Sequence, residues 1–325
     1  MDTIKQLRNT FEEYLEEHAF AKEPEGLYAP IAYVMGMGGK RLRPLLALMG
    51  AQLFGGQARA ALPVAMAVEV FHNFSLVHDD IMDEAPLRRG QATVHHKYGA
   101  NAGILSGDAM LIYAYEFIRQ VERPAAVPRL LKEFNRVAIE VCEGQQYDMD
   151  FEQRQDVKIE DYLRMIGLKT AALIEGSLVM GAVTAGAPEP DLIKLAAFGR
   201  NIGVAFQLQD DILDTFGDPE KFGKKVGGDI AQNKKTFLIL KALELARGDT
   251  RNELARYMSA TPADEGHKIE AVTGILRQLN IQEWAEEMKE RIQQTAMAAL
   301  GDIAVPEERK RPLRELALSL IQRES

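Results

Sequence analysis

Apolar residues recur along most of the chain at spacings of three and four. Ile4, Leu7, Phe11, Tyr14 and Leu15 make one such stripe, Leu192, Leu195, Ala196 and Gly199 another, and Leu313, Leu316, Leu318 and Ile321 roughly repeat it. That is the period of an amphipathic helix. No stretch alternates as a half-buried strand, and no Asn-Gly or Asp-Gly pair joins two apolar runs. Proline punctuates the pattern at Pro44, Pro63, Pro86, Pro124, Pro128, Pro188, Pro190, Pro219, Pro262 and Pro306, which by the usual start and stop signals predicts about ten or more helices. No Gly/Ser linker, low-complexity tract or charge run interrupts the series, so the expectation is all-α, with one domain covering residues 1–325.

Two of the predicted helices, Ala58 to Glu84 and Asp191 to Asp214, are long and apolar on most faces, the mark of a helix surrounded by others. Both end alike: Asp79-Asp80-Ile81-Met82-Asp83 closes the first and Asp210-Asp211-Ile212-Leu213-Asp214 the second. At ~3.6 residues per turn the outer aspartates of each triplet share a face, with the middle one beside them. Pro86 stops the first helix and Gly217 with Pro219 the second, so three carboxylates crowd the negative end of each helix dipole. Such crowding in apolar surroundings is destabilising unless cations relieve it. All-oxygen donors favour a hard ion such as magnesium, which bridges readily to phosphate oxygens. Pairing with nearby Lys or Arg explains one such cluster equally well. Two of identical spacing favour metal sites facing each other across a cavity.

Composition sets limits on the partners. The 325 residues are 46% hydrophobic and 27% charged, enough for a sizeable core, and the formal charge of −9 argues against nucleic acid as a partner. The single cysteine, Cys142, excludes an internal disulfide and reads as a small buried residue. The first residues are acidic and amphipathic rather than signal-like. The most apolar runs, Leu45 to Gly56 and Gly176 to Ala187, are bounded by Arg43, Arg59 and Glu175 and fall short of the ~18 residues a membrane span needs. The expected setting is cytoplasmic, without stable membrane insertion.

Basic groups accompany the acids. Lys40 and Arg43, in Gly-Gly-Lys-Arg-Leu-Arg-Pro, stand near a predicted helix start, where free N–H groups favour anions. Val34 and Arg41 exclude a nucleotide phosphate loop there. Arg88 and Arg89 follow the first acidic cluster and can clamp phosphate or pair with the neighbouring acids. Lys169 lies in an apolar stretch and calls for a partner, while Lys224, Lys225, Lys234 and Lys235 follow the second cluster. His72 and His78 do not share a helical face, and adjacent His95 and His96 read as loop residues, so no zinc pattern arises.

Taken together, GGKRLRP, the two Asp-rich motifs, Arg-Arg-Gly, Gly144-Gln145, Lys169-Thr170, Phe206-Gln207 and the GKKVGGD run are similar, in order and over Gly38 to about Thr236, to the trans-isoprenyl diphosphate synthases. The resemblance implies a single helical bundle of the isoprenoid synthase type with a central substrate cavity. It implies condensation of isopentenyl diphosphate with an allylic diphosphate and release of diphosphate. Three magnesium ions per active site and a homodimer come with it. By position, Lys40, Arg43, His72 and Arg89 would hold isopentenyl diphosphate. Arg88, Lys169, Lys224 and Lys234 would hold the allylic diphosphate, with Thr170 and Gln207 beside the reacting carbons. Asp79, Asp83 and Asp210 would ligate magnesium, with Asp80, Asp211 and Asp214 partly behind them.

Product length is expected to depend on Phe74, five residues before Asp79 and ~7.5 Å along the helix axis, with small Ser75 beside it. In the family that pair resembles a short-chain pattern, which implies geranylgeranyl diphosphate, with farnesyl diphosphate the alternative. A terpene cyclase would lack the second basic set, and a silent regulatory subunit would have lost acids or arginines that are all present here.

Overall fold

The computed structural model describes residues 2–218, 226–259 and 264–321. The helices are α1 (Asp2–Glu17), α2 (Glu25–Gly36), α3 (Leu42–Leu53), α4 (Leu62–Met82), α5 (Val94–Tyr98), α6 (Ala100–Arg119), α7 (Val127–Gln153), α8 (Ile159–Ile166), α9 (Ala172–Thr184) and α10 (Glu189–Phe216). They continue with α11 (Gly228–Ala231), α12 (Phe237–Leu245), α13 (Gly248–Ser259), α14 (Glu265–Gln278), α15 (Ile281–Gly301) and α16 (Glu307–Ile321). The all-helical expectation holds. Strand pairing among the described residues is limited to Leu87–Arg88 against Gln91–Ala92, an antiparallel turn with Leu87 opposite Ala92.

Two compact units divide the chain. The first comprises residues 1–136, 176–196 and 304–312. Its axis is α4, whose residues from Leu62 to Phe71 are buried without a break, as the apolar sequence requires. Close helix crossings in this unit depend on glycine: a Cβ on Gly50 would overlap the Leu178 carbonyl, and one on Gly181 the Ala47 carbonyl. The second unit comprises residues 137–175, 197–303 and 313–325. Its core gathers Phe151, Tyr162, Leu208, Ile212, Phe237, Leu254, Leu276 and Ile281 from seven helices. Asp264 caps α14 by accepting the His267 N–H at 3.1 Å.

Several local expectations change. A 3-10 turn, Ala58–Ala61, precedes α4, which starts at Leu62. His95 and His96 lie on α5 rather than in a loop. Cys142 is exposed, because it falls on the outward stripe of α7 with Ile139 and Gln146. Two helical stretches, Ala58–Met82 and Ile159–Thr184, are apolar and long enough to cross a bilayer, but 67% and 83% of their apolar windows are buried inside the protein.

Candidate active site

In the first unit the turn after α4 folds back on the first acidic cluster. Arg88 places Nε 2.8 and 2.9 Å from the two oxygens of Asp80 and Nη2 2.6 Å from one of them. Asp80 is buried, whereas Asp79 is half-buried and Asp83 exposed. The middle carboxylate is therefore neutralised within the chain. This is the pairing with a nearby Arg that the sequence offers as the alternative to a metal, and Arg88 is an acid's partner in this state.

The Gly38–Arg43 segment is held from two sides. Arg89, at φ 52°, donates to the Gly38 carbonyl, and a Cβ on Gly39 would overlap its guanidinium. Arg41 adopts φ 48° just before α3, a conformation that disfavours side chains with a Cβ. It is buried, donating to Glu69 of α4 at 2.6 Å and to the Met35 carbonyl at 2.6 Å. Lys40 is exposed beside it. Arg43 donates to Nε2 of His72 at 3.0 Å. Burial and the surrounding arginines, Arg43 foremost, hold the His72 imidazole well below its usual range. His72 is therefore neutral, with its proton on Nδ1, because an arginine can only donate. Arg43 Nε is buried and meets no acceptor. A buried donor left unsatisfied costs roughly 1–3 kcal/mol, which an anionic ligand would relieve. Arg43 and Arg89 thus stand together around neutral His72. Phe74, half-buried, stacks between Phe71 and His78 at ring distances of 5.5 and 4.8 Å, and Ser75 donates to the His72 carbonyl at 2.9 Å.

The second unit holds a cavity of about 170 Å³ lined by Asp148, Tyr162, Lys169, Thr170, Gln207, Asp211, Asp229 and Lys234, with apolar Phe151, Met165 and Ile166. Lys169 and Thr170 reach it from a π turn, Gly167–Ala171, between α8 and α9. Lys169 donates to Asp148 at 2.6 Å, the partner its apolar setting called for. Thr170 donates to the Gln207 carbonyl oxygen at 3.1 Å, and the Gln207 amide donates to Asp211 at 3.0 Å. The Tyr162 hydroxyl also donates to Asp211. Asp214 accepts the Asp229 N–H at 3.0 Å, and Lys234 lies 3.9 Å from Asp229. Lys224 and Lys225 lie outside the described residues.

Burial, followed by the charge of Asp229, pushes the Asp211 carboxyl up to about 8. Its hydrogen-bond partners Tyr162 and Gln207 are neutral, so the carboxylate sits among like charges. An oxygen-only donor set with surplus negative charge fits a divalent magnesium ion. No three acidic, histidine or cysteine side chains among the described residues are assembled around one point. Coordination shared with ligand phosphate and water suits magnesium in that case.

Sequence reasoning gave no role to Arg41, Glu69, Asp148 or Tyr162. Glu69 carried a signal, a lone acid within an apolar helix, while Tyr162 carried none, because an aromatic at helical spacing reads as core.

A polyprenyl synthetase family model matches residues 24–275. This chain belongs to the polyprenyl synthetase family. A geranylgeranyl diphosphate synthase of Sulfolobus acidocaldarius is 36% identical over 304 residues, covering 93% of this chain and 91% of that one. A geranylfarnesyl diphosphate synthase of Aeropyrum pernix is 42% identical over 229 residues, 69% of this chain and 72% of that one. Among solved structures, a geranylgeranyl pyrophosphate synthase is 46% identical, with a TM-score of 0.95 and full coverage of both chains. Family membership makes the protein a prenyltransferase of isoprenoid biosynthesis.

Proposed function

We propose that this polyprenyl synthetase joins isopentenyl diphosphate to dimethylallyl, geranyl or farnesyl diphosphate, with geranylgeranyl diphosphate as main product. The observation that carries the reading is the cavity of the second unit. It collects Lys169, Thr170, Gln207, Asp211 and Lys234 from separate parts of the sequence around one cavity, beside an apolar patch of Phe151, Met165 and Ile166. The family match, running through segments of both units, supports treating residues 1–325 as one catalytic domain.

Magnesium, when bound by Asp79, Asp83 and Asp210, would neutralise the leaving diphosphate as its C–O bond breaks. We assign three ions to the site. Lys169 and Lys234 add positive charge at the allylic diphosphate, joined by Arg88 once Asp80 shares it and by Lys224. Thr170 and Gln207 turn oxygen dipoles toward the allylic cation, and the patch of Phe151, Met165 and Ile166 keeps water from its side of the cavity. Lys40, Arg43 and Arg89 hold isopentenyl diphosphate, and neutral His72 donates through Nδ1–H. The departing diphosphate takes the proton, so these residues need supply no base.

Phe74 limits the growing tail in this reading. A homodimer is part of it, supported by the exposed Leu105 and Ile112 on α6, 60% and 69% accessible. So is a cytoplasmic setting, supported by burial of the two long apolar helices. The test is incubation with magnesium and each substrate, alone and together. Diphosphate release only with both, and a twenty-carbon product by mass, is expected. Cyclic product from the allylic substrate alone would mark a cyclase, and no release at all a silent subunit; either outcome defeats the reading.

A further inference from the structure

The π turn that delivers Lys169 and Thr170 has its own anchor. The Gly167 carbonyl accepts the Ala172 N–H, the five-residue reach that defines the wider turn. The same carbonyl accepts Nη1 of Arg200, on α10, at 2.6 Å. The other edges of this guanidinium are also engaged: Nε donates to Glu175 of α9 and Nη2 to Glu140 of α7. One rigid fork therefore ties the turn to three helices, a task lysine's single point charge does not perform. Glycine makes room for the turn on two sides. A Cβ on Gly144 of α7 would overlap the Lys169 backbone nitrogen, and one on Gly203 of α10 would overlap Ala171.

A π turn has poorer hydrogen-bond geometry than an α-helix and persists where its surroundings enforce it. Relaxing it to α shifts the register by one residue, a rotation of ~100°. Lys169 would then leave Asp148, and Thr170 would leave Gln207. We infer that Arg200, with Glu140 and Glu175, is a positioning clamp that maintains the π turn and so aims Lys169 and Thr170 into the cavity. The consequence for catalysis rests on the function proposed above; the consequence for the turn does not.

The test uses the full chain with two variants. Arg200→Met combined with Glu140→Gln and Glu175→Gln removes the guanidinium together with the charges of the two carboxylates it binds, and Arg200→Lys keeps the charge but loses the fork. Amide hydrogen exchange reads the turn directly. Exchange across residues 168–172 should rise at least tenfold while the core amides of α14 keep their protection. In parallel, kcat should fall roughly ten- to hundredfold, the scale of an ångström-sized misplacement, with KM for isopentenyl diphosphate unchanged. Arg200→Lys should fall between the triple variant and wild type. The inference is overturned if exchange at 168–172 stays within twofold of wild type. It is equally overturned if exchange rises and kcat does not fall. Should the triple variant lose protection everywhere, Arg200→Lys decides by the same two readouts. A wild-type protein that condenses nothing defeats the proposed function, while exchange still judges the clamp.

Discussion

The two acidic helix ends share a sequence pattern but not a charge environment. Asp80, at the end of α4, is matched by Arg88, and its surroundings are cationic: Arg41, Arg43 and Arg89 all stand near His72. Asp211, toward the end of α10, is matched by neutral Tyr162 and Gln207, with Asp229 and Asp214 adding like charge. The Asp80 carboxylate therefore has a cationic partner, whereas the Asp211 carboxyl has neutral partners and like charge nearby. Identical Asp-Asp-x-x-Asp spacing fixes neither condition; the partners supplied by other segments do.

The largest expected effect comes from breaking the charge pair that supports the cationic side. Glu69→Gln leaves Arg41 buried without its counter-charge, and removing one partner of a buried pair destabilises by about 3–5 kcal/mol. Tyr162→Phe removes one donor from a buried carboxylate that retains Gln207, for which about 1.5–3 kcal/mol is expected. Urea unfolding of both variants compares the two units directly. A loss for Glu69→Gln no greater than that for Tyr162→Phe would show that Arg41 finds relief elsewhere.

A smaller effect separates the units by pH. In the metal-free protein the Asp211 carboxyl is pushed up to about 8 from its ordinary 3.8. Between those values the folded state holds a proton that the unfolded chain has released, so stability falls as pH rises through the window. His72 has the opposite sign. Its folded imidazole stays well below the ordinary 6.5, so below that pH the unfolded chain takes up a proton that the folded state refuses, and stability falls on acidification. Below pH 6.5 the two contributions oppose each other, so Tm of the metal-free protein should decline with rising pH mainly between 6.5 and about 8. Asp211→Asn should abolish that decline and leave the His72 loss below pH 6.5 unopposed. Magnesium with inorganic diphosphate should raise Tm more at pH 8 than at pH 6, since cation binding competes with the proton. An alkaline decline that survives in Asp211→Asn would place its source in another group.

Helical period and proline punctuation made the fold class legible in the sequence, and the repeated aspartates drew attention to the ends of α4 and α10. The partners of the charged side chains were less legible. That Lys169 has Asp148 depends on how the chain returns on itself, which spacing does not encode, whereas the nearby Arg88–Asp80 pair was one of the two readings the sequence left open. The π turn at Gly167–Ala171 was invisible for a related reason: Gly-Leu-Lys-Thr-Ala is an acceptable α-helical sequence, and what widens it lies on α7 and α10. Cys142 was misjudged because a cysteine's burial follows the face it occupies, and α7 turns that face outward.

The smallest effect concerns the product. Phe74 is held between Phe71 and His78 along one face of α4, and a Cβ on Gly107 of α6 would overlap the His78 ring. The aromatic stack is thus braced at His78, and Phe74 remains half-buried. Phe74→Ala removes a ring without opening the fully buried core, so the fold should survive and condensation continue. If Phe74 ends the tail's path, the product distribution should move at least tenfold toward chains one or more isoprene units longer, a partition of only about 1.4 kcal/mol. Mass analysis of products from wild type and Phe74→Ala under identical substrate ratios measures it. The residues proposed above to hold the two diphosphates are untouched by this change, so KM for either should stay within about twofold, less than ~0.5 kcal/mol. Products no longer than those of wild type would make Phe74 ordinary packing and assign chain length to another residue.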